Sequence, residues 1–210
     1  MNFRLLRKRL RWGYLRMKID MILLAAGNSR RFGSNKLFYE VNGTALYRLA
    51  FDRLLTAARE GENRIFVVSR YAEILSAAKA YSPLMTPVPS PDSELGISRS
   101  IRNGIAASGG SADALAFFVA DQPWLKPGTI REFLDQYAKS GMPLGSLRFA
   151  DQMGNPAIFS RTYFPELLAL SGDKGGRKIL NAHPEECFYF SPDSAQELID
   201  LDIPPDEDMQ

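Results

Sequence analysis

Residues 19–36, IDMILLAAGNSRRFGSNK, decide the fold. The first eight are a near-continuous apolar run, the pattern of a strand buried on both faces of a parallel sheet. That run empties straight into a loop holding Gly27, Asn28, Ser29, Arg30, Arg31, Gly33, Ser34 and Lys36. Glycines let backbone N–H groups approach a ligand closely, and arginine and lysine add positive charge. Open α/β sheets bind their ligands at the carboxyl ends of strands, so a basic glycine loop in this position suits a polyphosphate. Two familiar phosphate loops fail on spacing. No Gly-Lys-Ser/Thr follows, which removes a Walker A loop; Gly27 and Gly33 stand six apart with arginines between, which removes the dinucleotide turn.

After this loop, apolar strand-like runs alternate with helix-length periodic segments. The spacing predicts helices over 45–59, 71–81, 97–107 and 129–139, and strands over 64–69, 84–88 and 114–120. The last strand, ALAFFVA, is the most hydrophobic and is predicted to be central. Beyond residue 140 the alternation loosens. Strands are predicted at 143–149 and 156–160 about a turn at Met153-Gly154-Asn155, helices at 162–170 and 176–182, and a strand at 186–190. The expected fold is α/β: a single three-layer α/β/α domain, residues 19–210, with a mostly parallel, Rossmann-like sheet.

Composition sets the outer limits. Hydrophobic residues make up 45% and charged residues 24%, as in ordinary globular proteins. One cysteine, Cys187, excludes a disulfide framework or a CxxC-type zinc site, and a cytoplasmic setting is the expectation. One histidine, His183, followed by Pro184, leaves little scope for histidine chemistry and reads as a helix end. No apolar run approaches the ~20 residues of a membrane span. The net charge of +2 conceals an asymmetry, because residues 1–18 carry seven basic side chains and no acid. Setting those aside leaves 19 basic against 24 acidic residues, about −5, which opposes nucleic-acid binding. The leader could be a basic arm or a targeting peptide, although it lacks a secretory apolar core. We read it as disordered or upstream of the natural start, since Met17 and Met21 both precede or open the first strand.

A second chemical element, ADQPWLKP at 120–127, follows the central strand. A carboxylate at a strand's end, Asp121, can hold a divalent cation against a triphosphate, and Gln122-Pro123 turns the chain beside it. Near the C-terminus, LIDLDIPPDED offers Asp200, Asp202 and Asp206 as a second carboxylate. Mg²⁺ takes few protein ligands and completes its shell with phosphate and water, so two distant carboxylates suffice. Phe32 reads as a packing anchor, Trp124 as a core or rim residue, and Cys187 as a small buried hydrophobe.

Taken in order, these pieces resemble the molybdenum cofactor cytidylyltransferase family, within the nucleotide-diphospho-sugar transferase-like class. LAAGNSRRFGSNK (24–36) resembles the class opening LAAGxSxRxGxxK. ELGISRSIRNGIAA (94–107) is similar to the family's Gly-Met/Leu-Ser helix start, with Arg99 where a serine is usual. ADQP (120–123) resembles the metal-bearing element, and GNPAIFS (154–160) and GDKGGRKIL (172–180) resemble two acceptor-side motifs. DLDIPPD (200–206) matches the closing motif in part, with Ile203 and Pro205 replacing Thr and Glu.

The resemblance implies a Mg²⁺-dependent nucleotidyltransferase that moves CMP from CTP to molybdopterin and releases pyrophosphate. Ala25-Ala26 before Gly27, with Gln122, point to cytidylyl rather than guanylyl transfer. Lys36, Arg30 and Asp121 would be catalytic. Leu24, Ala25, Ala26, Gly27, Asn28, Ser29, Arg30, Gly33, Ser34, Lys36 and Ser98 would bind the nucleotide. Gln122, Asn155, Pro156, Gly172, Asp173, Gly175, Gly176 and Arg177 would face the acceptor. Asp121 and Asp202, preferred over Asp200 and Asp206, would hold Mg²⁺. A molybdoenzyme or its chaperone is the implied partner, with no nucleic acid and no membrane. A transferase using another NTP or phosphorylated acceptor, or a non-catalytic nucleotide-binding accessory protein of molybdoenzyme maturation, is the alternative.

Overall fold

The computed structural model describes residues 17–27, 35–59 and 63–202. In chain order it runs β1 (Ile19–Leu24), a 3-10 turn (Lys36–Phe38), a small hairpin β2 (Glu40–Val41) and β3 (Thr44–Ala45), then α1 (Leu46–Ala57). There follow β4 (Ile65–Ser69), α2 (Ala72–Lys79), β5 (Met85–Pro89), a 3-10 turn (Pro91–Leu95), α3 (Ile97–Ser108), β6 (Ala114–Val119) and α4 (Pro127–Ser140). The remainder is β7 (Leu144–Phe149), β8 (Gln152–Ser160), α5 (Phe164–Ala169), α6 (Arg177–Ala182) and β9 (Cys187–Phe190).

Seven strands form one sheet in the order β5-β4-β1-β6-β8-β7-β9. All neighbours pair in parallel except β8, which runs antiparallel to both β6 and β7. This is the expected α/β fold with a mostly parallel sheet. β6 is the middle strand, as its hydrophobicity predicts.

Both faces of the sheet are covered. Met21 and Leu23 of β1 pack with α1, α2 and α4 residues such as Phe51, Ile74 and Phe133, while Ile22 packs on the other face with Ile101 of α3, Leu167 of α5 and Ile179 of α6. Each fully buried Leu, Ile or Phe contributes roughly 1.5–3 kcal/mol, so two apolar cores hold β1 and leave the loop after it free for chemistry. α3 stops where expected, at Gly109 in the left-handed region with φ 64°. α6 ends at His183.

Two details differ from the sequence reading. The hairpin at 40–45 was not expected, and β8 begins at Gln152, so the turn lies at Ala150-Asp151 rather than Met153-Gly154-Asn155. The register between β7 and β8 shifts between Ser146, opposite Ala157, and Leu147, opposite Gly154. The bulge therefore absorbs Asn155, the last residue of the expected turn, and Pro156, where the strand was expected to begin. The leader up to residue 16 and the tail from residue 203 lie outside the described residues, as do Phe32 and Asp206.

Candidate active site

The chain passes from β1 outward through β4 to β5, then returns through α3 to β6 on the other side of β1. The crevice between the carboxyl ends of β1 and β6 is thus the switch point at which open α/β sheets bind ligands. Gly27 leaves one strand there and Asp121 the other. Asn35 caps the following 3-10 turn, its side-chain oxygen accepting from the Leu37 N–H at 3.2 Å, and so fixes where Lys36 stands. Lys36 Nζ lies 2.6 Å from Asp121 Oδ2 and 3.0 Å from Asp202 Oδ1. Two further contacts hold the aspartates in place: Arg53 of α1 donates to the Pro123 carbonyl, and the Leu201 N–H donates to the Asp121 carbonyl at 2.8 Å. Arg53 interrupts the apolar face of α1, and this contact is its reason for being there.

Burial works against the charge on Lys36, but Asp121 and Asp202 outweigh it and the ammonium's pKa is raised. Lys36 therefore stays charged. Burial, then the neighbouring Asp121, push the Asp200 carboxyl up to about 6, against the opposing Gln122 hydrogen bond and Lys36; Asp200 is an exposed residue, so solvent blunts the effect. Asp121 Oδ1 is buried and has no hydrogen-bond partner among the described residues. An orphaned carboxylate oxygen beside Asp202 suits a hard divalent cation that needs few protein ligands. Lys36 stands between the two carboxylates, so the arrangement is an ion-pair triad rather than a closed cage.

Two adjoining cavities open here. The smaller, about 300 Å³, is lined by Leu24, Ala26, Gly27, Lys36, Asp121, Ser93, Glu94 and Ser100, among others. The larger, about 480 Å³, is lined by Asn155, Asp173, Gly175, Gly176 and Arg177, with an apolar wall that includes Phe117, Met153 and Phe159. Leu24, Ile97, Val119 and Asp173 belong to both. At Gly27 no atom of the described residues lies within 4 Å of where a Cβ would stand. The bulge in β8 presents Asn155, and Arg177 also donates to the Met153 carbonyl at 3.0 Å.

Several expected residues sit elsewhere. Gln122 is 5% exposed and lines neither cavity; its amide donates to the Leu198 carbonyl at 3.3 Å, because the chain turns inward at Pro123. Pro156 is buried behind Asn155. Ser98 and Gly172 form the seam between the two cavities: the Ser98 N–H donates to the Gly172 carbonyl at 3.2 Å, while Ser98 Oγ is buried without a partner. Ala25 is wholly buried behind the wall. Asn28, Ser29, Arg30, Gly33 and Ser34 lie outside the described residues. The sequence reading gave no role to Ser93, Glu94, Ile97 and Ser100 in the smaller cavity, and it weighed Asp200, which lines the larger, only as a second carboxylate. The alternation of Ser98 and Ser100 at a helix start was the available signal.

Gly27, Lys36 and Asp121, brought together at the switch point of a mixed α/β sheet, are the site of a nucleotidyltransferase. Comparison with known proteins agrees: residues 21–187 match the MobA-like NTP transferase domain, and the chain belongs to that family. Its members bind nucleoside triphosphates. The chain is 30% identical over 199 residues to purine catabolism protein PucB of Bacillus subtilis (strain 168), covering 90% of this chain and 93% of that protein. Among solved structures it is similar to Rv0371c of Mycobacterium tuberculosis H37Rv, with a TM-score of 0.71 and 26% identity over 86% of this chain and 90% of the other. The same mycobacterial protein has been solved in complex with manganese, with a TM-score of 0.67 and 25% identity over 89% and 92% of the two chains. A nucleotidyl transferase from Methanothermobacter shares the fold, with a TM-score of 0.72 and 22% identity over 89% and 92%. No helix among the described residues is long and apolar enough to cross a membrane.

Proposed function

We propose that this nucleotidyltransferase moves CMP from CTP to the terminal phosphate of a molybdopterin-type acceptor and releases pyrophosphate, with Mg²⁺ as its cation. The observation that carries this reading is Lys36 Nζ held between Asp121 at 2.6 Å and Asp202 at 3.0 Å, where the smaller cavity adjoins the larger one. The smaller cavity takes the nucleotide and the larger the acceptor. An acceptor phosphate oxygen attacks the α-phosphorus, and the bond to the β-phosphate bridge breaks in line. Such chemistry rests on positioning and charge stabilisation, which fits a site with no nucleophilic cysteine or histidine.

Lys36 pairs with triphosphate charge, helped by Arg30 and by N–H groups from Gly27 to Ser34. Asp121 and Asp202 would hold the cation. When bound, it neutralises phosphate charge and stabilises the leaving pyrophosphate. Asn155, Asp173 and the 172–177 loop face the acceptor, and Arg177 suits its anionic group. Ala25-Ala26 support CTP as donor, and a molybdoenzyme or its chaperone is the partner this reading implies.

Pyrophosphate release, measured with each NTP and Mg²⁺ in the presence and absence of molybdopterin, tests this. Release is expected only with CTP and molybdopterin together. A preference for GTP would replace the base assignment, and tight nucleotide binding without release would leave an accessory role.

A further inference from the structure

Three consecutive residues at the carboxyl end of β4 touch both walls of the smaller cavity without lining it. Ser69 Oγ, fully buried, donates to the Ala25 carbonyl at 2.7 Å and accepts from the Tyr71 N–H at 3.1 Å. The Tyr71 hydroxyl donates to the Gly27 carbonyl at 2.9 Å. The Arg70 guanidinium lies 4.9 Å over the Tyr71 ring and forms an ion pair with Glu94. Gly27 belongs to one wall of the cavity and Glu94 to the other. The turn bearing Glu94 is held from behind, Asn103 donating to Asp92 at 3.2 Å and Arg99 standing 3.8 Å from it.

We infer that Tyr71 and Arg70 are positioning residues for the nucleotide, joining Gly27 to Glu94 as a latch that sets the width of the donor cavity. The inference rests on reading that cavity as the nucleotide's. Among the described residues no atom packs where a Gly27 side chain would stand, and the Tyr71 hydroxyl is what holds the Gly27 carbonyl. A peptide unit is planar, so a hydrogen bond to the Gly27 carbonyl fixes the plane from which the phosphate loop departs. On the other side, a lone exposed glutamate would swing freely, but the Arg70 fork over an aromatic face gives it a preferred direction. The latch acts on nucleotide binding and leaves the acceptor cavity untouched.

Tyr71→Phe keeps the ring and removes the hydroxyl, and Glu94→Gln keeps the shape and removes the charge. For each, the CTP dissociation constant from calorimetric titration, KM for CTP, KM for the acceptor, kcat and melting temperature are measured. CTP affinity and its KM are expected to weaken about fivefold in each variant, the scale of one hydrogen bond, with the acceptor KM unchanged. Because both changes break one chain of contacts, the double variant loses less than the product of the single losses. Wild-type CTP affinity in both variants, or an equal rise in the acceptor KM, would overturn the latch. Glu94 is largely exposed, so its variant tests the idea even where Tyr71→Phe unfolds. Wild-type protein that binds no NTP at all would sink the functional reading itself; binding that ignores both substitutions sinks only the latch.

Discussion

The smaller cavity takes nearly all its lining from residues 24–121, and the larger takes most of its own from residues 146–200. The two are built by different means. The first lies where parallel strands end, so each functional residue follows its strand directly: Gly27 after β1, Asp121 after β6. The second is assembled around the one strand that reverses, through a bulge at Asn155-Pro156 and through glycines pressed against partners distant in sequence. A Cβ at Gly176 would meet the Phe159 ring at 2.5 Å, one at Gly154 would meet Leu198 at 2.9 Å, and one at Gly96 would meet the Gly172 backbone at 2.2 Å. Chemistry in the first region is placed by local chain order, and shape in the second by long-range fit.

The largest effect should come from the first region. Asp121→Asn is expected to lower kcat by about 10²–10³, the scale of one transition-state charge contact, or roughly 3–4 kcal/mol. Its thermal melting should stay near wild type, because the two cores lie elsewhere. Pyrophosphate-release kinetics beside a melting curve checks both halves of the statement. Near-normal transfer would mean that chemistry does not reside at the strand ends, and the contrast would collapse.

The seam between the regions should show the opposite signature. Gly96 has φ 120°, and an added methyl would run into backbone rather than a yielding side chain. Gly96→Ala is therefore expected to cost about 1–3 kcal/mol in strain, a fall of several degrees in melting temperature for a domain of this size, and to weaken acceptor binding. Gly109 is also left-handed, at φ 64°, but nothing lies within 4 Å of its would-be Cβ. Gly109→Ala should cost visibly less. Equal losses at both positions would show that φ alone matters and that the docked loop carries no load.

The same contrast explains what the sequence revealed. The parallel half was legible because buried strands read as continuous apolar runs, and because a basic glycine loop and a strand-end aspartate announce charge chemistry in situ. Lys36, Asp121 and Asp202 are up to 166 positions apart, yet each sits in a recognisable local motif, and the structure brings all three into contact. The hairpin at 40–45 was missed although Asn42-Gly43, at φ 52° and 73°, is a strong two-residue turn signal; its two-residue strands were too short to show alternation. Met153-Gly154-Asn155 looked like a turn because a bulge uses the same residue types. Ser93 and Glu94 were given no role because a 3-10 turn carries no hydrophobic period, and Gln122 misled because adjacency to Asp121 says nothing about which way a side chain points.

The smallest effect concerns the single cysteine, which lies in the second region. Cys187 begins β9, an edge strand whose one neighbour in the sheet is β7, and it is 5% exposed. Burial pushes its thiol from the ordinary 9.0 up to about 11, the Tyr189 hydrogen bond opposing only in part. Only the thiolate attacks an alkylating reagent. Below pH 9, two units of upward shift leave about 100-fold less thiolate than in the unfolded chain, before steric protection is counted. Alkylation at pH 8, followed by mass spectrometry, should therefore be slow in the native protein and fast in denaturant. Asp121→Asn should leave that rate alone, whereas Gly96→Ala should raise it if the seam helps to hold the second region closed. Rapid labelling of the wild type would show that β9 opens on its own, and that the fitted half of the molecule is not part of the same cooperative unit as the strand-end half.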